Sequence, residues 1–138
     1  MCAASGLVAL RALPGCGSSS TGTEANCSPS AIGVGDKASL PIGQARYVES
    51  QAIFICHDEG GFYAIDAACT HIGTDIDFVN ATSGFKCPLH GATYDFNGHV
   101  LTGPAMRDLP HYSVCSTESG ILIVDLGARV TPDTRLLA

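Results

Sequence analysis

Four residues limit this chain more than any other feature: Cys69, His71, Cys87 and His90, in the pattern C-x-H-x15-C-x2-H. Each of two short loops offers one thiolate and one imidazole, so any metal site they build draws a mixed pair of donors from either side. Two Cys and two His can close a tetrahedral zinc site, but zinc fingers ordinarily pair Cys with Cys and His with His at other spacings. A two-iron, two-sulfide core asks for a different division: two thiolates on one iron and two neutral imidazoles on the other. If each loop reaches across such a core, its Cys meets one iron and its His the second, and the loops clamp the inorganic unit from opposite sides. A small zinc-stabilised binding module stays open as the reading from a different functional class.

The pattern resembles that of the Rieske [2Fe–2S] proteins. The resemblance continues through Gly91 to Tyr94, Asn97-Gly98-His99-Val100 and Gly103-Pro104-Ala105, and spans Gly35 to Leu126. It implies one cluster held by Cys69, His71, Cys87 and His90, with Tyr94 donating to a ligand sulfur and Pro104 in the "proline loop" that covers the cluster in that family. The function it implies is one-electron transfer between redox proteins. In the quinol-oxidising members each ligand loop carries a further Cys, the two forming a disulfide, and a Ser after the second His-Gly donates to a bridging sulfide. Here those places hold Thr74, Leu89 and Ala92, and only Tyr94 matches. A donor favours the reduced, more negative cluster, so losing one worth about 1–3 kcal/mol lowers the midpoint by about 40–130 mV. The expected potential lies between the quinol-oxidising proteins and the low-potential Rieske ferredoxins. His71 and His90 would each keep one ring nitrogen towards solvent, which couples a proton to the electron.

Around these loops the chain reads as all-β, and the resemblance implies a Rieske-type antiparallel β-sandwich or barrel with an inserted cluster-binding subdomain. Short apolar runs alternate with turn signals from Gly35 onward. Lys37 to Leu40 and Ala45 to Val48 read as strands about a Pro41-Ile42-Gly43 turn. Ala52 to His57 and Phe62 to Ile65 form a hairpin across Asp58-Glu59-Gly60-Gly61. Further hairpins follow: Ile76 to Val79 with Phe85 to Cys87, Ala92 to Phe96 with His99 to Thr102 across Asn97-Gly98, and His111 to Cys115 with Ile121 to Asp125. The domain thus runs over 35–126, its cluster-binding part over about 67–106, with a leading segment at 1–34 and an aperiodic surface tail at 127–138. His57, His99 and His111 read as surface side chains rather than ligands, and Asp75 and Asp77 as solvated carboxylates.

A net charge of −6 argues against nucleic acid as a partner. Of seven cysteines, Cys56 and Cys115 lie in apolar strands, where a buried free thiol is the commoner outcome. A bridge from Cys27 to either requires an oxidising compartment. Leu13-Pro14-Gly15-Cys16 resembles the lipobox of bacterial lipoproteins, and the Ser-, Thr- and Gly-rich stretch after it suits a tether from a lipid anchor at Cys16. Arg11 breaks the short apolar run before it, and no basic stretch precedes that run. Two placements follow: a lipoprotein in the periplasm or on the outer face of a membrane, or a cytoplasmic protein. No stretch approaches the length of a membrane-spanning helix. Catalysis by the chain alone is not expected, since no second metal site and no nucleophile with an evident base are visible.

Overall fold

The computed structural model describes residues 27–138. Ten strands form among them: β1 (Ile32–Asp36), β2 (Gln44–Val48), β3 (Ile53–Asp58), β4 (Gly61–Asp66), β5 (Asp77–Asn80), β6 (Gly84–Lys86), β7 (Thr93–Tyr94), β8 (Val100–Thr102), β9 (His111–Ser116) and β10 (Ile121–Val130). They make a six-stranded sheet in the order β1-β10-β9-β4-β3-β2 and a four-stranded sheet in the order β5-β6-β7-β8. Every pairing is antiparallel. The smaller sheet is an insertion. The chain leaves the larger sheet at the end of β4 and returns at β9, and the Asp66 N–H donates to the Pro110 carbonyl at 2.9 Å, closing the neck.

The β3–β4 hairpin is the wall between two cores. Side chains alternate across a strand, so Phe54 and Cys56 with Tyr63 and Ile65 face one core, while Ile53 and Ile55 with Phe62 and Ala64 face the other. Burial on both faces explains why Ile53 to Cys56 reads as an unbroken apolar run rather than an alternating one. The first core joins the wall to the insertion through Phe85, whose ring lies tilted against Phe54 at 5.0 Å and Phe78 at 5.4 Å. Cys69, Cys87, Ala92 and Tyr94 belong to this core.

Several expectations need correction. Lys37–Ser39 is a turn of 3-10 helix, not a strand, because Asp36 Oδ1 accepts from the Ala38 N–H at 2.8 Å and turns the chain. The sheet begins at Ile32, inside the expected leading segment, where β1 pairs with β10. The residues after 126 are no loose surface tail. β10 continues to Val130, and the Phe62 N–H and Leu136 N–H each donate to the other's carbonyl at 2.8 Å. Gly61 makes this approach possible, for a Cβ there would sit 2.2 Å from the Leu136 carbonyl oxygen. Arg135 then binds Asp58 Oδ2 through two nitrogens at 2.7 and 2.9 Å, donates to Asn97 Oδ1 at 2.7 Å, and lies 3.9 Å over the Tyr63 ring. The final segment is a strap that joins the wall to the insertion.

Cys115 is not a free thiol. It is bonded to Cys27 across 88 residues of sequence, with a Cα–Cα distance of 6.0 Å. Cys56 remains a buried thiol, and burial pushes its pKa up. His57 and His111 are buried rather than on the surface: His57 stacks 3.9 Å from Phe62 with Nδ1 at 2.6 Å from the Leu40 carbonyl, and His111 lies against Tyr63. His99 is exposed and pairs with Asp108 at 3.0 Å.

Candidate metal centre

The two ligand loops share one backbone frame. In the first, the Cys69 N–H donates to the Thr74 carbonyl at 2.8 Å and the Gly73 N–H to the Cys69 carbonyl at 2.8 Å. In the second, the Cys87 N–H donates to the Ala92 carbonyl at 2.8 Å and the Gly91 N–H to the Cys87 carbonyl at 3.0 Å. Cys-x3-Gly-x is thus built twice, with Gly73 at φ 84° and Gly91 at φ 78° supplying the left-handed turn that closes each frame. Ala68 and Asp75 bridge at the base of the first loop, and the second hangs between β6 and β7. Asp75 is not simply solvated: the Tyr47 hydroxyl donates to it, which pushes the Tyr47 pKa up to about 12 and ties the first loop to β2.

The sulfurs point inward and the imidazoles outward. Cys69 and Cys87 are 2% and 1% exposed, whereas His71 and His90 are exposed, their rings 5.0 Å apart and nearly perpendicular. Burial pushes the Cys69 thiol up. The Tyr94 hydroxyl, the His71 and Ile72 N–H groups and the neighbouring Cys87 thiol outweigh it and hold the pKa below the ordinary value. Tyr94 Oη lies 3.4 Å from Cys69 Sγ and 3.0 Å from Thr70 Oγ1, and it accepts from the Thr70 N–H at 3.1 Å. Thr70 Oγ1 in turn donates to the Arg107 carbonyl at 2.7 Å, so the first loop is tied to the segment after Pro104. Pro104 itself is exposed and follows a cis bond, while Ala105 beside it is buried in the core.

The donor set fits a two-metal core and not a single ion. Among the described residues no three His, Cys, Asp or Glu side chains converge as one metal ion needs. The two thiols instead lie beside each other in the interior and the two rings beside each other at the surface, as a core with one sulfur-bound and one nitrogen-bound iron requires. A model of the Rieske [2Fe-2S] domain family matches residues 31–113. The chain belongs to that family.

Among solved Rieske structures, the plasma membrane protein PetC3 of Synechocystis PCC 6803 is 30% identical, with a TM-score of 0.56 over 67% of this chain and 97% of that one. The ferredoxin of carbazole 1,9a-dioxygenase from Nocardioides aromaticivorans IC177, 22% identical with a TM-score of 0.51 over 68% of this chain and 95% of its own, shares the fold. The cytochrome b6-f complex iron-sulfur subunit of Chlorobaculum thiosulfatiphilum is 28% identical over 92 residues, or 65% of this chain. The chain spans about half the length of that relative, 51%. The family's cofactor is one Rieske [2Fe–2S] cluster, for which Cys69, His71, Cys87 and His90 are the available ligands. Such a cluster accepts and releases one electron. The rest is done by the chain: Tyr94 sets a hydroxyl beside the Cys69 sulfur, Phe54 and Phe85 pack in the same core as both thiols, and the rings of His71 and His90 are exposed. The sequence did not single out Thr70 or Arg135, because a loop Thr and a terminal Arg carry no periodic signal. The doubled Cys-x3-Gly-x was open to inspection.

Proposed function

We propose that this Rieske protein is an exported, lipid-tethered carrier of single electrons between redox proteins outside the cytoplasmic membrane. The observation that carries the reading is the division of the site, two buried thiols beneath two exposed imidazoles, which gives one electron a protected seat and a short way out. The Cys27–Cys115 bridge supports export, since structural disulfides persist mainly in oxidising compartments. The lipobox-like Leu13 to Cys16 supports a tether, although these residues lie outside the described ones. Similarity to a plasma membrane Rieske protein points the same way. The competing reading, a cytosolic ferredoxin serving an oxygenase, draws on the fold shared with one such ferredoxin and on the missing loop-to-loop cysteines. A quinol-oxidising complex as the assembly draws on the cytochrome b6-f relatives.

Two measurements test the proposal. Anaerobically purified protein should contain two iron and two acid-labile sulfide and give a reversible one-electron wave; colourless, sulfide-free protein ends the electron-carrier reading. Mass spectrometry of protein from the native membrane fraction should find an acylated Cys16 as first residue and Cys27 bonded to Cys115. An intact Met1 on cytosolic protein with both thiols reduced would replace export by the ferredoxin reading.

A further inference from the structure

A cleft of about 430 Å³ opens between the end of β10 and the segment after Pro104, with Thr70, Arg107, Asp108, His111 and Arg129 in its lining. That volume suits a small ligand. It is unusual in charge. Of the arginines among the described residues, Arg135 is spent on Asp58, and Arg46 on the Val34 carbonyl and Ser39. Arg107 and Arg129 have no carboxylate within ion-pair distance among the described residues, in a chain of net charge −6. Arg129 meets only the Tyr112 ring, at 5.5 Å. It is set there by the jump in β9–β10 register from Asp125↔Ser113 to Arg129↔Tyr112. The one carboxylate in the lining faces elsewhere: Asp108 Oδ2 lies 3.0 Å from His99 Nδ1, and Oδ1 accepts from the Val100 N–H at 2.9 Å.

Two guanidiniums with no carboxylate partner ask for an oxyanion.

We propose that the cleft binds a small oxyanion, the chemistry shared by inorganic phosphate and small carboxylates, and that its charge beside Thr70 lowers the reduction potential of the cluster. Thr70 stands between the ligands Cys69 and His71 in the first loop, so a bound anion repels the added electron. Linkage makes the effect reciprocal, and the reduced protein holds the anion more weakly by the same factor.

The test is calorimetric titration of oxidised holoprotein with inorganic phosphate and, separately, with malate, at ionic strength fixed by chloride, followed by film voltammetry under the same additions. One saturable equivalent is expected, and the tighter of the two probes names the ligand class. Arg129→Gln should weaken binding at least tenfold with the visible spectrum unchanged. Tenfold weaker binding to the reduced protein is a fall of about 59 mV on saturation. Absence of saturable heat with both probes, unchanged binding in Arg129→Gln, or an equal midpoint shift from chloride alone overturns the site. None of these failures touches the electron-carrier reading, which stands or falls with the cluster's own wave.

Discussion

Replacing Tyr94 by Phe removes one buried hydroxyl that does two jobs, and the two losses can be read separately. Its single proton has two acceptors in reach, Cys69 Sγ at 3.4 Å and Thr70 Oγ1 at 3.0 Å. The Thr70 hydroxyl donates to the Arg107 carbonyl, so towards Tyr94 it presents a lone pair and competes with the sulfur. A hydrogen bond to a charged acceptor is worth about 1.5–3 kcal/mol. Shared between two acceptors, and counted only as the difference between redox states, it comes to about 0.5–1.5 kcal/mol, or about 20–65 mV for one electron. The midpoint of Tyr94→Phe should therefore fall by that amount in film voltammetry at neutral pH. The same substitution strands the Thr70 N–H, which now donates to Tyr94 Oη at 3.1 Å, so urea unfolding should show a loss of about 1–3 kcal/mol. A midpoint that stays level or rises, in protein with full iron and sulfide, refutes the claim that this hydroxyl favours the reduced state.

Ala92→Ser places a hydroxyl at a position with no exposed surface beside the second loop, and should raise the midpoint by about 40–130 mV in the same voltammetry. Arg135→Ala breaks the bonds to Asp58 and Asn97 and the contact with the Tyr63 ring, and should cost about 2–4 kcal/mol of unfolding free energy in urea. Burial, with the positive charge of Arg135 and His99, depresses the pKa of His111 despite its bond to Leu109 and the field of Asp108. The unfolded chain therefore takes up a proton first, and stability should fall as pH drops below about 6.5, by up to about 1.4 kcal/mol per pH unit, until the folded-state pKa is passed. His111→Gln should flatten that part of a pH series of urea midpoints.

What could be read from the sequence followed the range of the forces involved. The hairpins of β3 with β4, β5 with β6, β7 with β8 and β9 with β10 were legible because each is closed by a local turn such as Asn97-Gly98 or Gly60-Gly61. β1 was not, since Ile32-Gly33-Val34-Gly35 has little apolar pattern and exists by pairing with β10 from the far end of the chain. Lys37 to Leu40 looked like a strand until Asp36 capped it. The strap after Gly127 has no period because Arg135 holds it by contacts to Asp58 and Asn97. In the site, residue type and spacing alone marked the four candidate ligands. The Thr70–Tyr94–Arg107 chain and the choice of Cys115 over Cys56 for Cys27 depend on distances in space, which no spacing encodes.

The division between interior sulfurs and outward rings also makes the molecule one-sided as a collision partner. Phe54, Phe78, Phe85 and Phe96 pack in the first core with Cys69 and Cys87, so in the electron-carrier reading the most direct contact is the cap formed by His71 and His90. Most random encounters are then silent, and throughput is set by how often rotation presents that cap before the pair drifts apart. A partner gains speed less by holding tighter than by turning the cap towards itself on approach.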